Sequence, residues 1–301
     1  MHESIEMNIV TATACRLVKI TTPKRYVLDG LWFGPLRPRR ALIFVHGLGS
    51  SAFSHPDYLV PFVNRETAVL YFNNRGHDTM ARLRRRKAGA KNKYVSESGG
   101  MAHEVFTGCA DDLQGAAALA LAHHAREIVL VGHSTGCQKI IYSLSRPGMP
   151  RQVRGAILLC PISDYAAMQH ARPRQRSRAE QIAQQFIRRG QAHRLLPPEI
   201  WPEPLDAQRF LSLYTPDSEE EVFPYAQPGK PARRLGKVTQ PLLIVLAGAD
   251  EYRDRPSEVM AAWFDEHARD GEARIITGAK HGFRGYEKPL RMTLRRWLAR
   301  H

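Results

Sequence analysis

The chain has 301 residues, of which 43% are apolar, and its 44 Lys and Arg against 29 Asp and Glu give a formal net charge of +15. This length and composition allow one domain with a large buried core and an inserted cap. No apolar stretch reaches 18 residues, and Met1 to Ala14 is mixed in polarity with two glutamates. The sequence therefore indicates neither a membrane span nor a secretory leader.

The four cysteines lie far apart and show no metal-ligand spacing; they are Cys15, Cys109, Cys137 and Cys160. Such cysteines are typical of reduced thiols in a reducing compartment. We therefore predict a cytoplasmic protein.

Apolar strand-like runs alternate with helical patterns along most of the chain. Strands are predicted near Arg25 to Phe33 and at 41–45, 68–72, 127–131, 153–160, 241–247 and 273–277. Helices are predicted at Gly108 to His124, Gly136 to Ser145, Pro256 to Arg269 and Glu287 to His301. Because the strands lack a polar face, the pattern predicts an α/β fold with a mostly parallel, doubly wound sheet that is covered on both sides.

The interval between Cys160 and Gln240 interrupts this alternation. It contains many prolines, an amphipathic segment around Ala179 to Arg189 and no convincing buried strand. The alternative is a long surface loop that has no function, but such loops are uncommon. We therefore predict a single domain over 1–301 with a helical cap at 163–237.

The most informative motif is Gly132-His133-Ser134-Thr135-Gly136. It follows the apolar run 128–131 and precedes a predicted helix. A serine in Gly-x-Ser-x-Gly between a strand and a helix occupies a sharp turn, where the glycines permit close backbone approach. Ser134 is therefore the predicted nucleophile.

Two later residues provide a carboxylate and a base. Asp250 follows the apolar run that ends in Ala247-Gly248-Ala249, and His281 follows the last predicted strand. An Asp after a strand is often only a helix cap. Asp254 or Asp265 could therefore be the carboxylate instead of Asp250. The order Ser134, Asp250, His281 is the order of an α/β-hydrolase.

The loop after strand 41–45 supplies the predicted oxyanion donors. It begins His46-Gly47-Leu48-Gly49, and such a loop directs one backbone N–H group toward the nucleophile. The donors are predicted to be the N–H groups of Leu48 and Thr135. A phosphate-binding loop is the alternative, but neither Gly-x-Gly-x-x-Gly nor a Walker sequence occurs. His46 and His133 are expected to orient loops rather than transfer protons.

From about residue 25 onward the chain resembles the α/β-hydrolase superfamily. Three segments are similar to the branch that contains the fungal fusarinine C esterases: Gly-His-Ser-Thr-Gly-Cys-Gln at 132–138, Asn-Asn-Arg-Gly-His at 73–77 and His-Gly-Phe-Arg-Gly-Tyr-Glu at 281–287. The resemblance implies an α/β-hydrolase fold with its cap inserted after the sixth strand of the superfamily's sheet, here 153–160. It also implies a serine hydrolase, since the fusarinine C esterases open ester bonds in hydroxamate siderophores. The chain departs from that branch in the basic loop from Arg82 through Lys93.

A serine nucleophile narrows the expected chemistry. Dehalogenases and epoxide hydrolases of this fold need a carboxylate at position 134, so those activities are not expected. A carboxylic ester hydrolase is favoured, while thioesterase, amidase and acyltransferase activities stay open because all form an acyl-serine. A non-catalytic receptor that binds a small ligand is a further alternative. No metal or organic cofactor is predicted.

The basic residues concentrate at 82–93 and 172–194. They could be solvated faces or could attract an anionic partner. No nucleic-acid fold signature accompanies them, so no specific nucleic acid is expected. The expected partner is a small-molecule ester, either siderophore-like or anionic.

Overall fold

The computed structural model describes residues 13–87 and 93–301. Most of the segment from Met1 to Ala14, and residues 88–92 of the basic loop, lie outside the described residues. No described helix combines the length and the apolar character that a bilayer span requires.

Ten strands of the described residues form one sheet: β1 (Cys15–Thr21), β2 (Tyr26–Phe33), β3 (Arg40–Val45), β4 (Thr67–Phe72), β5 (Ala81–Arg86), β6 (Tyr94–Gly99), β7 (Glu127–His133), β8 (Val153–Leu159), β9 (Leu242–Ala247) and β10 (Gly271–Ile276). The helices are α1 (Pro56–Leu59), α2 (Cys109–Ala122), α3 (Thr135–Leu144), α4 (Asp164–Ala171), α5 (Pro173–Arg188), α6 (Ala207–Tyr214), α7 (Ser257–His267) and α8 (Glu287–Leu298).

The sheet has a parallel part and an antiparallel part. Its order is β10-β9-β8-β7-β3-β4-β2-β5-β6, with β1 paired to β2. The six strands from β10 to β4 pair in parallel, whereas β1, β2, β5 and β6 pair antiparallel to their neighbours. The predicted mostly parallel sheet is confirmed, and β1, β5 and β6 are additions to it.

The prediction of a basic loop from Arg82 through Lys93 was wrong for residues 82–86, and residues 88–92 lie outside the described residues. Residues 81–86 form β5, which pairs antiparallel with β6. Leu83 is buried whereas Arg82 and Arg84 are exposed, so the segment has the alternation of a half-buried strand. The Arg85 guanidinium pairs with Glu97 on β6, 2.6 Å away. Such cross-strand pairs stabilise a strand whose composition resembles a charged loop.

The sheet buries side chains on both of its faces. In β3, Ile43 and Val45 pack in a cluster with residues of α2, α3 and α7, whereas Leu42 and Phe44 pack in a second cluster with residues of α1 and α8. Neighbouring residues of a strand point to opposite faces, so this continuously apolar strand requires helices on both sides.

The three helices α4, α5 and α6 lie between β8 and β9. Pro173 occupies the first turn of α5, where its missing N–H group costs nothing. A third apolar cluster includes Ala183, Phe186, Trp201 and Phe210. This segment therefore has a small core of its own. The limits of the predicted cap, 163 and 237, stay a prediction.

A chain of buried charges connects α3 with α6. The Lys139 ammonium lies 2.7 Å from Glu104 Oε1, and Glu104 Oε2 lies 3.0 Å from the Arg209 guanidinium, which also pairs with Glu220. Each of these four side chains is at most 2% exposed. Burial alone would raise the pKa of Glu104, but Lys139 and Arg209 hold it below its ordinary value. The charges of two cations and two anions thus neutralise one another in the protein interior.

Replacing Arg209 with Met should destabilise the protein by about 3–5 kcal/mol, because Glu104 and Glu220 would keep buried charges without their shared partner. Urea unfolding followed by tryptophan fluorescence measures the change. Arg300→Met is the control, since the Arg300 side chain is 55% exposed in its ion pair with Glu272 and exposed pairs contribute little. Equal effects of the two substitutions would contradict this interpretation.

Candidate active site

The sheet topology places two functional loops side by side. β3 and β7 are parallel neighbours, with Val45 paired to Gly132. The chain runs from β3 to β4 on one side, and β7 to β10 extend on the other. The strand order therefore reverses between β3 and β7. In open α/β sheets, ligands bind beyond the carboxyl ends of the strands at such a reversal.

Ser134 lies on a strained turn between β7 and α3. Its φ of 55° and ψ of −128° are unusual for a residue other than glycine. A Cβ atom on Gly136 would come within 2.0 Å of the Val45 carbonyl oxygen, and one on Gly132 within 2.7 Å of the Gly136 carbonyl carbon. The glycines therefore let the first turn of α3 pack directly on the ends of β3 and β7, as the motif predicts.

Asp250 and His281 form a hydrogen-bonded pair. His281 Nδ1 lies 2.8 Å from Asp250 Oδ2, and the other oxygen of Asp250 accepts a hydrogen bond from the Tyr252 N–H group. Because a carboxylate only accepts, Nδ1 carries the proton of the neutral imidazole and Nε2 keeps its lone pair. The structure brings together the acid and the base that the sequence predicts.

Ser134 and His281 line the same cavity, which has a volume of about 360 Å³. The Ser134 hydroxyl makes no hydrogen bond with another described residue. Catalytic hydrogen bonds are often long without substrate and shorten in the substrate complex. The remaining lining residues are Gly47, Leu48, Ser50, His55, His133, Ile162, Asp164, Ala167, Met168, Glu203, Tyr214 and Tyr252.

Leu48, one of the two predicted oxyanion donors, lines this cavity, and Thr135, the other, directly follows the lining residue Ser134. Among the described residues, no hydrogen bond uses the N–H group of Leu48 or of Thr135. Thr135 begins α3, where the first N–H groups have no partner within the helix. Leu48 belongs to the loop after β3, and its side chain packs against the third apolar cluster. Neither N–H group therefore has a hydrogen-bond partner among the described residues.

Buried hydrogen bonds hold the loop that carries Leu48. His46 Nε2 accepts a hydrogen bond from the Asn74 N–H group, so the proton lies on Nδ1, which donates to the Gly47 carbonyl. Burial and, next, the nearby Lys139 ammonium lower the pKa of His46 to about 3. The Lys139 ammonium also donates to Asn74 Oδ1 at 3.0 Å. His46 therefore acts on the loop as a neutral positioning group, in agreement with its sequence interpretation.

His133 positions the loop that carries His281. Its Nε2–H group donates to the His281 carbonyl oxygen at 2.9 Å. Burial lowers the pKa of His133 well below the ordinary value, and the charges of His281 and His55 act in the same direction. This hydrogen bond needs only the Nε2–H group, which a neutral ring can provide. His133 is therefore a structural link between the turn after β7 and the loop after β10.

The lining of the cavity is acidic rather than basic. It contains Asp164 and Glu203, and no Lys or Arg is among its described lining residues. Burial, followed by the charge of Glu220, raises the pKa of Asp164 to about 8, so Asp164 is mostly protonated at pH 7 and Glu203 carries the negative charge of the lining. Glu203 Oε2 is buried without a hydrogen bond, and its other oxygen lies 3.5 Å from the Arg172 guanidinium. The excess positive charge of the chain does not extend into this cavity.

A family model matches residues 103–299, which include Ser134, Asp250 and His281. The chain belongs to this family, DUF1749. The family's description is "Protein of unknown function". No curated protein matches the chain.

Solved structures resemble this DUF1749 chain over nearly its whole length. The siderophore hydrolase EstB from Aspergillus fumigatus is 19% identical with a TM-score of 0.67, covering 97% of this chain and 98% of EstB. The α/β-hydrolase GrgF from Penicillium sp. sh18 is 17% identical, with a TM-score of 0.63 and coverages of 94% and 97%. Naproxen esterase from Bacillus subtilis is also 17% identical, with a TM-score of 0.59 and coverages of 96% and 92%. These likenesses confirm the predicted α/β-hydrolase fold.

Several lining residues of this DUF1749 protein were not predicted from sequence. His55 adopts a left-handed conformation before α1, and its ring stacks on Tyr58 with centroids 4.6 Å apart. Tyr252 lies two residues after Asp250, and its ring contacts His281 at 4.9 Å between centroids. The position of Tyr252 after Asp250 could have indicated it. No motif indicates His55, one of thirteen histidines, or Glu203.

Cys160, Asp250 and His281 are also close enough to ligate a metal ion, with donor atoms within 4.8 Å of one another. Burial raises the pKa of the Cys160 thiol well above its ordinary value. A metal requires the thiolate, and Asp250 and His281 already bind each other. These residues fit a hydrogen-bonded acid–base pair better than a metal centre.

Gly136→Ala should destabilise the protein by at least about 1–3 kcal/mol, because its methyl group would overlap the Val45 carbonyl and displace the turn. Thermal unfolding measures the effect. Gly236→Ala is the matched control, because a Cβ there would meet no atom within 4 Å. An unchanged melting temperature in Gly136→Ala would be incompatible with the described packing.

Proposed function

We propose that this protein is a serine hydrolase that cleaves a carboxylic ester through an acyl-serine intermediate. Ser134 is the nucleophile, His281 the base, Asp250 its orienting carboxylate, and the N–H groups of Leu48 and Thr135 the oxyanion donors. One observation carries the proposal: His281, which is hydrogen-bonded to Asp250, and Ser134 on its strained turn line one cavity, and the N–H groups of Leu48 and Thr135 next to Ser134 have no partner among the described residues.

Acylation begins when Ser134 Oγ attacks the ester carbonyl carbon and His281 Nε2 takes the hydroxyl proton. The carbonyl oxygen becomes negative and accepts hydrogen bonds from the two N–H groups, where removal of one donor typically lowers kcat about 10²- to 10³-fold. The imidazolium then protonates the leaving alkoxide, and the carbon–oxygen bond of the ester breaks. Asp250 stabilises the imidazolium through Nδ1–H and keeps its own charge.

Deacylation repeats these steps with water as the nucleophile. His281 takes a proton from the water as its oxygen attacks the acyl-serine carbonyl, and the resulting imidazolium returns a proton to Ser134 Oγ. The products are a carboxylic acid, an alcohol and the original enzyme. Every proton transfer uses His281, so no cofactor enters the scheme.

The segment 163–237 is proposed to be the cap of a single domain over 1–301. It contributes Asp164, Met168, Glu203 and Tyr214 to the cavity wall, while Ser134 and His281 come from the sheet edge. A covered site excludes water and strengthens electrostatic interactions. The cap is therefore the part of the proposed enzyme that selects the substrate.

The proposed substrate is a small ester that is neutral or positively charged near the cap. The similar structures include a siderophore hydrolase, EstB, and naproxen esterase, and a siderophore-like ester fits the resemblance found in the sequence. The charge of Glu203 and the absence of Lys and Arg from the described cavity lining argue against the anionic ester that the overall charge suggested. We also propose a cytoplasmic location, which the four free thiols support.

Ser134→Ala should remove both labelling by a fluorophosphonate probe and turnover of short p-nitrophenyl esters, because no other group in the scheme forms the acyl-enzyme. Asp250→Asn should lower kcat by about 10⁴-fold, since an amide cannot fix the same imidazole tautomer. Gel fluorescence and absorbance assays measure both changes.

Asp265→Asn serves as the control for the carboxylate, because an Asn oxygen can still accept from the Ala273 N–H group that Asp265 binds. It should retain wild-type turnover. Wild-type protein that neither reacts with the probe nor hydrolyses any ester would instead favour a non-catalytic binding protein.

Esters of one length but different charge test the electrostatics of the cavity. We expect a p-nitrophenyl ester with a terminal trimethylammonium group to exceed its terminal carboxylate counterpart in kcat/KM by at least about tenfold, equivalent to about 1.4 kcal/mol. Glu203→Gln should reduce this ratio because it removes the charge that faces the cavity.

Glu199→Gln is the matched control, since Glu199 is exposed in the same segment and does not line the cavity. It should leave the charge preference unchanged. A preference of the wild-type protein for the carboxylate ester would refute the proposed substrate charge without affecting the proposed mechanism.

A further inference from the structure

Two imidazoles and one carboxylate meet at a place separate from the candidate active site. His103 Nδ1 and His193 Nδ1 each lie 2.9 Å from the same atom, Asp206 Oδ2. The three donor atoms are all within 4.8 Å of one another. None of these residues lines the cavity of Ser134.

The three residues come from different parts of the fold. His103 lies between β6 and α2, His193 follows α5, and Asp206 immediately precedes α6. Asp206 is completely buried, and its Oδ1 accepts hydrogen bonds from the Arg209 N–H group at 2.8 Å and the Gln208 amide at 3.0 Å. These bonds fix the carboxylate so that Oδ2 points to both histidines. Carboxylates that ligate metals are commonly held by such additional hydrogen bonds.

The donor set suits a divalent transition metal. Zinc binds imidazole nitrogen at about 2.0–2.1 Å and carboxylate oxygen at about 2.0–2.2 Å in tetrahedral geometry, which separates ligand atoms by about 3.3 Å. The 2.9 Å contacts need to lengthen by only a few tenths of an ångström. Each neutral imidazole would bind through Nδ1 and carry its proton on Nε2, which makes no hydrogen bond with a described residue.

A second cavity lies beside this group. It has a volume of about 480 Å³, and its lining includes His103 and His193 as well as Glu97 and Glu104. Three protein ligands leave a fourth tetrahedral position free, and in such sites water or a ligand fills it. The cavity provides the room for that fourth ligand.

We propose that His103, His193 and Asp206 bind a divalent transition metal ion of the zinc type. The ion joins the segment between β8 and β9, through His193 and Asp206, to the loop before α2 through His103. It has no part in the proposed ester cleavage, whose proton transfers all use His281. The spacing 103, 193 and 206 follows no short metal motif, which explains why the sequence predicts no metal.

Zinc binding to the full chain tests the proposal. After treatment with EDTA and dialysis, isothermal titration with ZnCl₂ and metal analysis of the dialysed protein should give one tightly bound zinc per chain. His193→Ala should weaken binding by about 100-fold or more, because even partners outside the ligand shell contribute 10- to 100-fold. The His193 side chain is 66% exposed, so this variant should fold, and circular dichroism verifies it.

His170→Ala is the matched control, since His170 is an exposed histidine of α4 outside the group, and it should bind zinc as the wild type does. Zinc should also raise the melting temperature of the wild type and of Ser134→Ala, but not of His193→Ala. This readout does not depend on esterase activity. Ester cleavage could therefore fail while zinc binding succeeds, or the reverse.

Three results would overturn the proposal. The wild type could bind no zinc in stoichiometric amount, or His103→Ala and His193→Ala could both bind it with wild-type affinity. Binding could also persist in His193→Ala and disappear in His281→Ala, which would place the ion at Cys160, Asp250 and His281 instead. Any of them would leave the histidines as hydrogen-bond partners of Asp206 only.

Discussion

The close approach of α3 to the ends of β3 and β7 determines the geometry of the whole site. Gly136 lies so near the Val45 carbonyl that no side chain fits between them. This contact accompanies the positive φ of Ser134, and it holds the first turn of α3 against Val45 and His46 at the start of the loop after β3. Strain of this kind persists only where the surrounding packing over-determines it. Here the two central strands of the sheet provide that packing.

Buried polar groups extend this constraint away from the sheet edge. Lys139 of α3 binds Asn74, which holds the His46 loop, and it also pairs with Glu104. Glu104 pairs in turn with Arg209 of α6. One lysine therefore contacts both Asn74, which holds the loop that presents Leu48, and the charge network that extends into the predicted cap. Removing any member leaves a buried charge or amide without its partner, which is why such networks specify one arrangement.

The sequence predicts the central half of the molecule well. Buried parallel strands such as β3 and β7 are apolar throughout, and the motif around Ser134 is tied to a strand and a helix. The sequence predicts the antiparallel edge of the sheet poorly, because β5 has arginines on its exposed face and only its pairing with β6 distinguishes it from a basic loop.

The cavity wall is less predictable still. Asp164 and Glu203 reach the site through the tertiary arrangement of α4 and the loop before α6, and no local pattern encodes that arrangement. The net charge of the chain suggested an anionic substrate. A net charge does not reveal where the arginines lie in the fold, and none is among the described residues that line the cavity.

Leu48 connects two layers of the molecule through a single residue. Its side chain packs against the apolar cluster of Phe186, Trp201 and Phe210, while its N–H group stays unpaired at the cavity. In the proposed mechanism, the packing of the Leu48 side chain against that cluster sets the distance between the Leu48 N–H group and the substrate carbonyl oxygen. Repacking this cluster would therefore change the turnover rate as well as the substrate-selecting wall of the cavity. Evolution could thus tune the speed of this site without altering any residue that touches the reacting atoms.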